Sequence, residues 1–112
     1  MKAPRPALIV FCREPIAHQA KTRLIGAITP AAAAALSDAF IRDALAKAVA
    51  VRPSLIVIAA DTPDGVAHSR YFRRIALRFR AELIDQGAGS LGQRMARALA
   101  RFSARGALLI GT

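Results

Sequence analysis

The chain has 112 residues, 54% of them hydrophobic but only 5% aromatic, and its 17 Lys and Arg against 7 Asp and Glu give a formal net charge of +10. That length carries one domain, which can bury roughly two-thirds of its unfolded surface. The single cysteine, Cys12, excludes an internal disulfide and a cysteine-based metal framework, and the apolar run at 7–12 is too short for a signal-peptide core or a membrane span.

In chain order, the first element is the continuous apolar run 8–12, which reads as a buried parallel strand. Arg13 and Glu14 break it and a loop containing Pro15 follows. Thr29 and Pro30 form an N-cap and a first helical residue, opening a helix through the Ala run to about residue 50. Leu36, Phe40, Ile41, Ala44, Leu45 and Ala48 are expected on its core-facing side.

Arg52 and Pro53 close that segment, and 55–60 is the second buried strand. The stretch 61–65, Asp-Thr-Pro-Asp-Gly, has strong turn chemistry, so Asp61 and Asp64 read as turn residues. A basic amphipathic helix over 70–80 places Tyr71, Phe72, Ile75 and Phe79 on the core side and Arg70, Arg73, Arg74 and Arg78 mostly on the others. A short strand at 81–85 leads through a Gly-rich turn into a helix over about 90–105. Leu91, Met95, Ala98, Leu99 and Phe102 are expected inward there. Gly106 is a natural C′ residue for that helix, and a last strand at 107–110 follows.

This strand–helix alternation predicts a doubly wound α/β domain over 1–112: a mainly parallel sheet with helices on both faces. The spatial order expected for it is 3-2-1-4. Ligands of such sheets bind outside the carboxyl ends of the strands, at a topological switch point.

Two loops at those ends carry the chemistry. The first holds Arg13, Lys21, Thr22 and Arg23. Guanidinium groups can grip phosphate oxygens bidentately while Lys acts as a point charge, so the loop reads as a phosphate grip; no Gly stands where a Walker A motif requires one. The second is Gln86-Gly87-Ala88-Gly89-Ser90-Leu91-Gly92, formally G-x-G-x-x-G. It follows the third strand and the ribose-binding acid would fall at or past residue 112, so it reads better as a capped Gly-rich turn than as a dinucleotide fingerprint. His18 and His68 stand alone, without metal-like spacing.

Strand 8–11, the Pro loop, Lys21-Thr22-Arg23-Leu24, Asp43 and Gln86-Gly87-x-Gly89-x-Leu91-Gly92-x-Arg94-Met95 resemble the selenodomain-associated transferases. These are small glycosyltransferases with the nucleotide-diphospho-sugar transferase (GT-A-like) fold. The resemblance spans nearly all of this chain but only the N-terminal half of such a protein. It implies that Arg13, Lys21, Thr22 and Arg23 hold nucleotide phosphates. It implies further that Gln86, with Gly87, Gly89, Ser90, Leu91 and Gly92, meets the nucleobase, and that Arg94 supports the site or faces phosphate. Phospholactate guanylyltransferases share the K-[TS]-R-L element and are the alternative relatives.

The chain departs from the family at Arg13, at the loop from Ile16 to Gln19, and at Ser90, where the family has Asp. The family's next carboxylate, which holds Mg²⁺ or Mn²⁺, would follow Gly111-Thr112, so the reading is a nucleotide- or nucleotide-sugar-binding half truncated before its metal motif. No metal ligand is assigned in this chain. The last strand would then be an exposed apolar edge open to self-association. The reading of another class is a basic, non-catalytic module attracting polyanions through its Arg faces. No membrane partner is expected, and the cytoplasm is the default compartment.

Overall fold

The computed structural model describes residues 5–17, 19 and 26–112. Lys21, Thr22 and Arg23, and with them most of the anticipated phosphate grip, lie outside the described residues. Four strands, β1 (Ala7–Arg13), β2 (Leu55–Asp61), β3 (Glu82–Asp85) and β4 (Ala107–Gly111), form one sheet in the order β3-β2-β1-β4. Every neighbouring pair is parallel, as the uninterrupted apolar runs of the two central strands require. The helices between them are α1 (Pro30–Val51), α2 (Arg70–Phe79) and α3 (Leu91–Arg101).

The pleat sorts the core into two layers, because successive strand residues point to opposite faces. Val10, Cys12, Ile58 and Ala60 face α1 and α2, where Ile41, Leu45, Phe72, Ile75 and Ala76 meet them. Ile9, Phe11, Val57, Ala59 and Ile84 face α3, packing on Ala98 with half-buried Met95, Leu99 and Phe102 behind it. The winding therefore reverses between β1 and β4. The switch point anticipated for a ligand site lies at the carboxyl ends of those two strands.

Local signals set the helix ends. Thr29 accepts the amide of Ala32 ahead of Pro30, and Ser69 accepts that of Phe72 at the start of α2. Both of these helices stop on an arginine in the left-handed region, Arg52 (φ 56°) and Arg80 (φ 53°), whose amides return to carbonyls of the last turn. The third helix ends at Arg101 rather than near Arg105; residues 103–105 form a separate 3₁₀ turn before Gly106.

Two side chains expected inward are not. Phe40 is 45% exposed, and the stripe that meets the sheet from α1 is Ala33, Ser37, Ile41, Leu45 and Ala48. In an Ala-rich helix apolar residues lie almost all round, so the pattern does not select a face; contact with β1 and α2 does. Leu91 is 56% exposed because it stands in the first turn of α3, at the mouth of a cleft rather than over the sheet. On the edge strand β4, Leu108 and Ile110 are also exposed. No described helix is long and apolar enough to cross a membrane.

Candidate functional site

A cleft of about 260 Å³ opens at the carboxyl ends of β1, β2 and β4, beside the first turn of α3. Its lining includes Arg13, Asp61, Gln86, Leu91, Arg94 and Met95, and it reaches Gly111 and Thr112 at the end of β4. Of the residues singled out in the sequence, the fold brings Arg13, Gln86, Leu91 and Arg94 together. Gly87, Gly89, Ser90 and Gly92 shape the approach to α3 without lining the cleft.

The register of the central strands builds the charged wall. Arg13 and Asp61 are partners in the parallel ladder, the last residues of β1 and β2. Arg13 Nε donates to Asp61 Oδ2 at 3.1 Å, and Arg94 Nη1 approaches the same oxygen at 3.7 Å from across the cleft. Asp61 is thus a strand-end residue between two guanidinium groups, not the turn residue its Asp-Thr-Pro-Asp-Gly context suggests. The sequence signal available was its position, one residue beyond a buried apolar run.

The wall holds two roles apart. Arg13 is half-exposed, its side chain keeping 54% of its surface, whereas that of Arg94 keeps only 18%. Arg94 Nη1 also donates to Gln86 Oε1, while its Nε is buried and finds no hydrogen-bond partner among the described residues. The exposed Arg13–Asp61 pair contributes little to stability, about 0–1 kcal/mol. Its consequence is geometric: it holds two cationic forks on one point at the cleft mouth.

Gln86 lies one residue past β3 on the α3 face, and it is 5% exposed. Its Nε2 donates to the carbonyls of Cys12 and Ala59, both at 3.1 Å, so one amide spans β2 to reach β1. The resemblance implies that this residue meets a nucleobase; within the fold its amide ties two central strands to Arg94 and so fixes the cleft's floor.

The Gly-rich turn is held from behind by Arg97, a residue with no signal in the sequence beyond its place in a basic helix. Its Nη1 donates to Gln86 O and its Nη2 to Ala88 O, each at 2.9 Å. Gly87 has φ +81°, and a Cβ there would stand 2.3 Å from Arg97 Nη1. Glycine at 87 therefore answers both a left-handed backbone and the close approach of a guanidinium group. Ser90 and Gln93 form a reciprocal capping box: Ser90 Oγ accepts the Gln93 amide at 3.2 Å and Gln93 Oε1 the Ser90 amide at 2.9 Å. With Ser at 90, this position serves the helix end.

Two further ties steady the neighbouring loops. Ser69 Oγ donates to Glu14 Oε1, linking the loop after β1 to the start of α2. Asp85 Oδ1 accepts the amide of Val66 at 2.9 Å. Cys12 ends the buried part of β1, and burial pushes its thiol up from 9.0 to about 12, which leaves it protonated and unreactive at neutral pH.

The divalent cation that the family resemblance implies would need several oxygen donors free of other partners. No group of three or more His, Cys, Asp or Glu among the described residues could hold a metal ion, and the one carboxylate in the cleft wall, Asp61, already faces Arg13 and Arg94. These residues do not fit Mg²⁺ or Mn²⁺. A scan of protein-family models, a search of curated proteins and a search of solved structures each find no match for this chain.

Proposed function

We propose that the strand-end cleft binds the phosphate of a nucleotide or nucleotide sugar, and that the chain is the nucleotide-binding part of a glycosyl- or nucleotidyl-transferase of the kind its motifs resemble. The observation that carries this reading is the convergence of Arg13 and Arg94 on one carboxylate oxygen at the switch point of a doubly wound sheet. A phosphate entering there exchanges with the Asp61 carboxylate for two forks already in position, so little side-chain ordering remains to be done on binding. The first turn of α3, at Leu91, adds a helix N-terminus beside it.

Arg13 gives reach and Arg94 gives a fixed, largely desolvated charge braced by Gln86. Met95 and Leu91 offer an apolar wall for a base or sugar face. No catalytic step is assigned to these residues, because none of them is a free acid, base or nucleophile in the cleft.

Titration calorimetry with a panel of nucleotides and nucleotide sugars, with and without Mn²⁺, tests the reading. Binding selective for one base and indifferent to metal is expected. Arg13→Gln should weaken it about tenfold, as loss of one charge-assisted contact of 1.5–3 kcal/mol implies at its lower end. Lys21→Ala tests the first loop separately: unchanged affinity removes Lys21 from the phosphate grip. Absence of heat with every nucleotide would sink the proposal as a whole.

A further inference from the structure

The basic helix α2 and its neighbour α1 enclose a second, larger concavity, about 660 Å³, lined by Arg42, Arg70, Tyr71, Arg74, Ile75 and Arg78. It shares no lining residue with the strand-end cleft. We propose that this groove is a docking surface for the backbone of single-stranded nucleic acid, independent of the nucleotide reading above.

The spacing of the cations is the first argument. Arg70, Arg74 and Arg78 recur every four residues, so they form one row along α2 with about 6 Å of helical rise between successive guanidinium stems. A row of evenly spaced forks matches a partner with a charge at every repeat, and a phosphodiester chain is such a partner.

Their pairing is the second. Among the described residues, Arg70, Arg74 and Arg78 make no ion pair with any carboxylate, and Arg78 only leans on the Phe79 ring at 5.9 Å. Arg42, on the opposite wall, is held by both oxygens of Asp38 at 3.0 and 3.1 Å, and Asp38 also accepts the Tyr71 hydroxyl at 2.5 Å. One wall is thus locked by an acid and the other left fully charged.

The shape chooses among anionic partners. A groove between two helices embraces one strand, whereas a duplex is read by an element that protrudes. Its apolar floor, Ile75, is 3% exposed and offers no socket for the side chains of an acidic peptide. A membrane surface needs apolar residues on the outer face of a basic helix, and α2 presents a single one there, Leu77, which is 80% exposed among the arginines.

Fluorescence anisotropy of a labelled 12-nucleotide oligouridine, titrated with the whole chain between 50 and 200 mM salt, reads the proposal directly. The logarithm of affinity should fall with that of salt with a slope of about −2 to −3, the value for three or four phosphates at about −0.7 each. Arg74→Gln should weaken binding about threefold to tenfold and make the slope shallower by about 0.7. Arg105→Gln, an equal charge change outside the groove, should stay within about twofold.

Saturating free nucleotide should leave oligonucleotide affinity unchanged. Displacement by nucleotide would move the strand to the cleft and overturn the groove assignment. Equal losses in Arg74→Gln and Arg105→Gln would reduce the effect to net charge. Tighter binding to a matched duplex or to phosphatidylserine vesicles, or no binding, would also overturn it.

Discussion

The two concave regions use the same residue type in opposite states. In the strand-end cleft both lining arginines are engaged, Arg13 with Asp61 and Arg94 with Gln86, and behind it Arg97 holds the carbonyls of Gln86 and Ala88. In the α1/α2 groove Arg70, Arg74 and Arg78 stand without an acid among the described residues. A net charge of +10 is therefore not spread evenly in its effect. At the strand ends positive charge organises backbone; on α2 it remains available to a partner.

The largest effect is expected from Gln86→Leu. Removing the amide leaves the Cys12 and Ala59 carbonyls and the Arg94 guanidinium short of partners inside the fold, and the cost should be about 2–4 kcal/mol. Urea unfolding at unchanged m measures it. A loss under about 0.5 kcal/mol, the range of an ordinary surface change, would show that the cleft's cations are not braced as described.

Cys12 lies under both regions, in the core beneath α1 and α2 and at the cleft floor. The unfolded thiol ionises near 9.0, while the folded thiol keeps its proton up to about 12. Between those values the unfolded state binds fewer protons, so stability should fall as pH rises, by up to about 1.4 kcal/mol per unit. Burial, and then the hydrogen bond to Asp38, also raise the Tyr71 phenol, which adds to the fall in the same direction at higher pH. Stability curves of the parent and Cys12→Ala from pH 8 to 11 separate the two: the variant should lose the earlier part of the slope and keep the later part.

Gly87→Ala should cost about 1–2 kcal/mol, the penalty of a left-handed residue with a Cβ. It should also push Arg97 off the Gln86 and Ala88 carbonyls. Gly92→Ala sharpens the contrast within the same motif. A Cβ at Gly92, inside α3, meets nothing within 4 Å, so the substitution should stabilise by about 0.4–1 kcal/mol. Thermal unfolding of the pair would show whether the motif's glycines serve the turn or the ligand; equal effects would erase the distinction. The smallest effect is expected from Arg74→Gln, within about ±0.5 kcal/mol in stability, because among the described residues no acid or hydrogen-bond acceptor holds that side chain.

Much of the architecture was legible in the chain. Unbroken apolar runs at 8–12 and 55–60 read as strands buried on both faces, and their alternation with helices calls for a parallel sheet with right-handed crossovers, the sheet observed in the order β3-β2-β1-β4. The helix starts were legible for a local reason: Thr29, Ser69 and Ser90 each cap with their own side chain. The candidate site was legible only in place. Its loops follow from the strand ends, yet the resemblance gives Gln86 to a nucleobase, the local pattern gives Asp61 to a turn, and neither speaks of Arg97.

Those three residues mark what separates the two sources of information. Element types, the fold class and the row of arginines on α2 follow from the chain alone, because periodicity and local capping act within a few residues. Only the tertiary structure decided which cations are engaged and which are free. Asp61 meets Arg13 through strand register and Arg94 through the packing of α3, while Gln86 reaches Cys12 across 74 positions of chain. Hydrogen bonds of that kind depend on distances that no local pattern encodes.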